Sequence, residues 1–297
     1  MIQDIAPWRL RNEFFPEHPR PGDGVLDVNE EGLLVTGPSL RLPEVGMWQH
    51  SAPEGAELIY AFRLVRQGAS SCCGPLPETD TPEGALSRLF LVRNAPSSAD
   101  AWPEGWMRVP VRDLRGRPAP LPFVAATAQH LHVWYESHRF CGRCGAPMHP
   151  SDTERALVCR ACAHTVYPSI APCVIVAVTS GNRLLLTRYA RPGASRLVLV
   201  AGFVETGETA EQAAAREVME ETGLHITNVR FVGTQPWGLS GTLALGYAAE
   251  LDGPDEIHLD TSELAEALWV DRDHIPPCPD DSSLTMTMIT RFAEGRL

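Results

Sequence analysis

The stretch that decides the reading is Gly202-Phe-Val-Glu-Thr-Gly-Glu208-Thr-Ala-Glu-Gln-Ala-Ala-Ala-Arg216-Glu217-Val-Met-Glu220-Glu221-Thr-Gly223-Leu224. It satisfies G-x5-E-x7-R-E-U-x-E-E-x-G-U at every position, U being aliphatic. With its fixed residues at ordinary frequencies, a chance match is on the order of one in a million. Local physics predicts a loop running into a helix. Thr209 is a capping residue, and Gln212, three positions on, completes a capping box. Gly223 suits the left-handed conformation that ends a helix. Glu217, Glu220 and Glu221 then stand at i, i+3 and i+4, so three carboxylates share one face. Like charges so placed destabilise a bare helix by roughly 0.2–0.5 kcal/mol per pair, and a bound dication would reverse that sign. Hard oxygen ligands are what Mg²⁺ or Mn²⁺ prefer. Arg216 is spaced to pair with Glu208 and hold the loop against the helix.

Outward from this box, Val174–Val178 and Leu184–Thr187 flank Ser-Gly-Asn and read as a hairpin. Leu197–Val200 is a strand candidate that delivers the chain to Gly202. Beyond the helix come strand candidates Val229–Gly233, Leu243–Leu251 and Ala267–Val270, then a closing helix over residues 284–294. Upstream, Leu33–Val35, Leu58–Val65 and Leu89–Val92 are short strand candidates in a Pro- and Gly-rich region. Gln67 to Gly84 reads as a loop, with Cys72 and Cys73 as bystanders. Val124, Ala128, Leu131 and Tyr135 recur at helical spacing and predict an amphipathic helix leading into Cys141.

Composition bounds the function classes. The 297 residues are 44% hydrophobic and 21% charged with a net charge of −12, as for a soluble globular protein of two domains or two plus a small module. That charge argues against broad binding to DNA, RNA or anionic membrane, while leaving room for a small nucleotide on a local patch. The N-terminus has no secretory signal, and the longest apolar run, Ala171 to Val178, falls far short of the ~20 residues that span a bilayer. A cytoplasmic protein is expected.

Cys141-Gly-Arg-Cys144 and Cys159-Arg-Ala-Cys162 form two C-x2-C knuckles separated by fourteen residues. Four thiolates suit tetrahedral Zn²⁺ and leave no open position for water, so a structural ion is expected. The segment from Arg139 to Tyr167 carries four Arg against two acids, a local positive excess in an acidic chain.

The box identifies the chain as a member of the Nudix hydrolases. A zinc ribbon led by His-Arg-Phe-Cys-Gly-Arg-Cys-Gly (138–145) and followed by Tyr167-Pro168 resembles the NADH pyrophosphatases, also described as NAD-capped RNA hydrolases. The resemblance is clearest over residues 130–290. It implies an α+β chain: an N-terminal α+β domain (1–137), a zinc ribbon (138–166) and a Nudix α/β/α sandwich with a mixed sheet (167–297). That family carries S-Q-P-W-P-F-P-x-S after the box; here the segment is Thr234-Gln235-Pro236-Trp237-Gly238-Leu239-Ser240-Gly241-Thr242, with the Gln-Pro-Trp core kept and the Pro-Phe-Pro lost. By resemblance, Glu217, Glu221 and Glu263 would ligate Mg²⁺ or Mn²⁺, with Glu220 helping and the Ala201 carbonyl completing a site. Taken alone, Glu263 reads as a helix-surface acid. Phe203 and Trp237 would sandwich the nicotinamide, Trp237 arriving from the other subunit of a homodimer. Glu154, Tyr167 and Thr285 match or lie near substrate-contacting positions, and Gln235, Pro236 and Thr242 belong to the same substrate-binding segment.

The implied reaction is metal-assisted attack of water on one phosphorus of a dinucleotide diphosphate, turning NADH into NMNH and AMP. Glu220 or Glu263 would accept the proton. ADP-ribose, a dinucleoside polyphosphate or an NAD-capped RNA end are alternative substrates. A zinc-ribbon binding or regulatory protein with an inert Nudix domain is the rival from another class.

Overall fold

The computed structural model describes residues 1–14, 17–66, 88–94, 102–275 and 282–297. The expected loop at 67–84, with Cys72 and Cys73, lies outside these. The chain divides into two compact units: Ile2–Ser169 with Gly238–Ser240, and Met1 with Ile170–Trp237 and Gly241–Leu297. Among the described residues no helix is long and apolar enough to cross a membrane.

The amino-terminal unit contains β1 (Trp8–Arg11), β2 (Gly24–Leu26), β3 (Val28–Asn29), β4 (Gly32–Thr36), a one-turn helix α1 (Val45–Trp48), β5 (Glu57–Arg66), β6 (Arg88–Arg93) and β7 (Trp106–Val109). They form two small sheets, ordered β1-β5-β6-β2 and β3-β4-β7. Helix α2 (Leu121–Ser137) follows, and the predicted stripe Val124, Ala128, Leu131 and Tyr135 is the face it buries against Phe62, Leu89 and Leu91. Three short strands, β8 (Met148–Pro150), β9 (Leu157–Cys159) and β10 (Thr165–Val166), then carry the cysteine segment. Cys141, Met148, Leu157 and Cys159 join the same apolar core as α2. The ribbon therefore has no separate core, as expected of a segment too short to bury one.

The carboxy-terminal unit is an α/β/α sandwich. Its sheet comprises β11 (Ala171–Ser180), β12 (Arg183–Tyr189), β13 (Val200–Phe203), β14 (Ile226–Trp237), β15 (Thr242–Leu251) and β16 (Leu264–Asp271), between α3 (Ala210–Thr222) and α4 (Leu284–Ala293). The order is β14-β15-β11-β12-β16, with β13 also paired to β11. The β11–β15 pairing is parallel and the others antiparallel, so the sheet is mixed. Central β11 alternates: Val174, Val176 and Val178 pack toward α3, Ile175 and Ala177 toward α4. Burial on both faces is why its sequence is a continuous apolar run rather than an alternating one. The predicted β11–β12 hairpin closes through Gly181-Asn182, where Gly181 takes φ 59°.

Candidate functional site

Helix α3 begins and ends as its sequence dictates. The Thr209 hydroxyl accepts from Gln212 N, the Gln212 side chain accepts from Thr209 N, and Gly223 sits at φ 70° with its N–H donated to the Met219 carbonyl. The preceding loop is strapped to the helix by Arg216. Its Nε and Nη2 donate to the two Glu208 oxygens at 2.9 Å, Nη2 also donates to the Phe203 carbonyl, and Nη1 donates to Glu217 at 2.7 Å and Glu220 at 2.9 Å. These hydrogen bonds hold the Glu208 carboxyl below the usual range.

The three helix acids are not equivalent. Glu220 is exposed, Glu217 is largely covered, and Glu221 is buried at 2% exposure. Glu221 Oε2 has no hydrogen-bond partner. Burial, and then the charges of Glu217, Glu263, Asp260 and Glu220, push the Glu221 carboxyl from an ordinary 4.5 up to about 8. Glu217 is raised too, first by burial, with Arg216 opposing. Glu263 reaches this cluster from a turn, not from a helix surface: Glu263 N and Leu264 N donate to the Asp260 carbonyl, and Asp260 N donates to the Glu221 carbonyl at 3.0 Å. Asp260 is an acid that motif reasoning missed. The signal was present in Asp-x-Ser, because Asp260 Oδ1 accepts from Ser262 N and Oγ, which holds its carboxyl below the usual range.

The donor set fits a hard dication. A buried orphan oxygen surrounded by further carboxylates is destabilised until positive charge arrives. Gly202 on β13 makes room for the Glu217 carboxyl itself, since a Cβ there would lie 1.9 Å from its carboxyl carbon. Ala201 precedes it, opposite Ile175. Because the clash is with the end of a flexible side chain, Gly202→Ala should leave Tm within a few degrees. The displaced carboxyl should nevertheless cost roughly a hundredfold in diphosphate hydrolysis, as small misplacements do. Thermal melts beside steady-state rates check this.

Of the downstream segment, Pro236 is exposed, Trp237 is half-buried, and Thr242 is buried opposite Trp237 across the β14–β15 hairpin. Gln235 has a structural role in this segment. It is 1% exposed; its Nε2 donates to the Ser282 carbonyl and its Oε1 accepts from Leu284 N, so it pins the start of α4, beside half-buried Thr285. Phe203 is 54% exposed at the end of β13. In the amino-terminal unit the Tyr167 hydroxyl donates to Glu154 Oε1 at 3.0 Å. Gly238 belongs to that unit and has a packing reason: a Cβ there would lie 2.1 Å from the Ala126 carbonyl oxygen of α2. Gly238→Ala should cost about 1–3 kcal/mol, read as a lowered urea midpoint at unchanged m-value.

The cysteines form a second centre. All four Sγ atoms lie within 4.8 Å of one another, with Cys141–Cys162 at 3.7 Å and Cys144–Cys159 at 3.5 Å. Tetrahedral Zn–S bonds of ~2.3 Å imply S···S edges of about 3.8 Å, whereas a disulfide needs ~2.05 Å. The two knuckles repeat one backbone pattern. Gly145 N donates to the Cys141 carbonyl and Cys141 N to Ala146, just as Ala163 N donates to Cys159 and Cys159 N to His164, each at 2.8 Å. Gly145 and Ala163 occupy the same left-handed position, φ 75° and 57°. This is a structural zinc site.

Together, the strapped acid helix on a mixed sheet and the closed four-thiol centre define a zinc-ribbon Nudix chain. Family profiles match accordingly: the NUDIX domain over residues 169–287 and the NADH pyrophosphatase zinc ribbon domain over residues 136–167. A NAD-capped RNA hydrolase NudC from Salmonella heidelberg is 44% identical over 225 residues, covering 72% of this chain and 87% of that protein. One of the same name from Salmonella typhi matches equally. Among solved structures, a NUDIX hydrolase from Nitrosomonas europaea aligns with a TM-score of 0.46 at 23% identity, covering 53% of this chain and 92% of that one. The chain belongs to the NudC family of Nudix hydrolases.

Proposed function

We propose that this protein hydrolyses the diphosphate linkage of NADH or NAD⁺ to NMN(H) and AMP, and acts likewise on the NAD cap of RNA. The observation that carries the reading is the buried, partnerless Glu221 oxygen amid Glu217, Glu263 and Asp260, in a chain with a NADH-pyrophosphatase-type zinc ribbon. Glu217, Glu221 and Glu263, with Glu220 and the Ala201 carbonyl, would hold Mg²⁺ or Mn²⁺. Such an ion neutralises phosphoryl oxygens and acidifies water.

The chain's own residues do the rest. Arg216 fixes Glu217 and the 203–208 loop in place before substrate arrives. Glu220 Oε2 is already engaged by Arg216, which leaves Glu263 as the freer carboxylate to accept the water proton. Exposed Phe203 offers a ring face to the nicotinamide, with Trp237 facing it across a homodimer. Gln235, Pro236, Thr242 and Thr285 are substrate-binding candidates of the carboxy-terminal unit, and Glu154 and Tyr167 are those of the amino-terminal unit; Gln235 also ties β14 to the start of α4.

The test is a panel of NADH, ADP-ribose and NAD-capped RNA with Mg²⁺ or Mn²⁺, products resolved. Faster cleavage of the nicotinamide dinucleotides supports the reading. Preference for ADP-ribose would replace the substrate, and no cleavage of any diphosphate would refute the enzyme.

A further inference from the structure

The acid cluster poses an electrostatic problem for any diphosphate substrate. Glu217, Glu220, Glu221, Glu263 and Asp260 gather there, and an anionic ligand needs cationic donors from the protein as well as bound metal. Arg216 cannot serve. All of its edge is committed, to Glu208, Glu217, Glu220 and the Phe203 carbonyl.

A second arginine is placed differently. β12 ends at Tyr189 with a bulge between Arg188 and Tyr189, and Tyr189 registers against Leu264. The next residue, Ala190, donates its N–H to the Glu263 carbonyl at 2.8 Å, so the segment leaving β12 is tied to the turn that carries Glu263. The Arg191 guanidinium lies over the Tyr189 ring, 5.2 Å from its centroid. Among the described residues Arg191 faces no carboxylate within ion-pair distance. A cation–π contact uses the flat face of the guanidinium and leaves the edge N–H donors free. Those donors form the fork that matches two phosphate oxygens.

We propose that Arg191, held on Tyr189 beside the Glu263 turn, is a substrate-binding residue that grips the diphosphate. This rests on the diphosphate-hydrolase reading and adds the group that takes the substrate's negative charge. Tyr189 is the positioning residue: its ring is the platform on which the guanidinium rests.

Four variants test it: Arg191→Ala, Arg191→Lys, Tyr189→Phe and Tyr189→Leu. Two readouts are used, KM and kcat for NADH with Mg²⁺, and calorimetric Kd for ADP-ribose and for adenosine in metal-free buffer. Loss of a charge-assisted fork predicts a roughly ten- to hundredfold rise in KM and in the ADP-ribose Kd for Arg191→Ala. Adenosine affinity and kcat should stay within about threefold. Arg191→Lys should recover part of the loss because it keeps charge without the fork. Tyr189→Phe keeps the ring and should resemble the parent, whereas Tyr189→Leu should resemble Arg191→Ala. An unchanged ADP-ribose Kd in Arg191→Ala, or equal loss of adenosine affinity, would overturn the assignment, as would a parent protein that binds no diphosphate. If NADH is not turned over but the ADP-ribose shift is found, the nicotinamide reading fails and the role of Arg191 stands.

Discussion

Glu221→Gln should lower Mg²⁺-dependent hydrolysis of NADH by at least about a thousandfold, the scale on which metal-assisted phosphoryl chemistry depends on its ligands, while leaving the fold intact. The neutral amide fits the same buried space, so no cavity or clash arises. Without metal in alkaline buffer, the variant should be more stable than the parent. The native state lifts this carboxyl from 4.5 to about 8, so between those values the native protein holds a proton that the unfolded chain has released. Its contribution therefore favours the native state at low pH and is lost as pH rises through 8. Removing the charge removes that loss, and at roughly 1.4 kcal/mol per pKa unit the effect reaches a few kcal/mol. Urea melts at pH 6 and pH 8.5, with EDTA or with Mg²⁺, check both halves. The parent should gain from Mg²⁺ at pH 8.5 and the variant should not. A variant with parental activity would remove Glu221 from the site.

Cys159→Ser should have the largest effect on folding. Cys159 is fully buried and shares a core with Leu157, Met148 and α2, so releasing the ion disturbs more than a surface knuckle. Structural zinc contributes folding free energy on the order of 10 kcal/mol in isolated modules. Losing one thiolate and leaving a hydroxyl in the core should cost about 3–5 kcal/mol, or a Tm lower by roughly 10 °C. Zinc content should fall from one per chain toward zero. A variant that keeps both zinc and Tm would mean that the four thiols are not a structural centre. Because Ser is small and polar, Cys159→Ala serves as the control in which the core stays apolar while zinc is still lost.

What could be read from the sequence was whatever is encoded over a few neighbouring residues. The capping box at Thr209 and Gln212, the left-handed Gly223, the Glu208–Arg216 strap and the two thiol knuckles are local patterns, and each recurs in the structure. The α2 stripe succeeded because a long amphipathic helix repeats its signal. Features set by distant contacts were not readable. β14 extends through Gln235, Pro236 and Trp237 because it lies at the sheet edge, where a proline breaks no interior ladder. The parallel β11–β15 pairing joins residues about seventy apart. The tie from Gln235 to Ser282 and Leu284 at the start of α4 spans nearly fifty residues and leaves no mark in the Gln-Pro-Trp motif. Gly238 departs from the family's proline where the α2 backbone comes too close for any side chain. The strands of the amino-terminal unit that went unread, β1, β2, β3 and β7, are two to four residues long, too short for periodicity to register.

The most direct measurement of the central claim is a product analysis of NADH incubated with the pure protein, with and without Mg²⁺. NMNH and AMP should form in equal amounts, only when the dication is present, and not with Glu221→Gln. Release of free nicotinamide, or no cleavage of the diphosphate at all, would contradict the account.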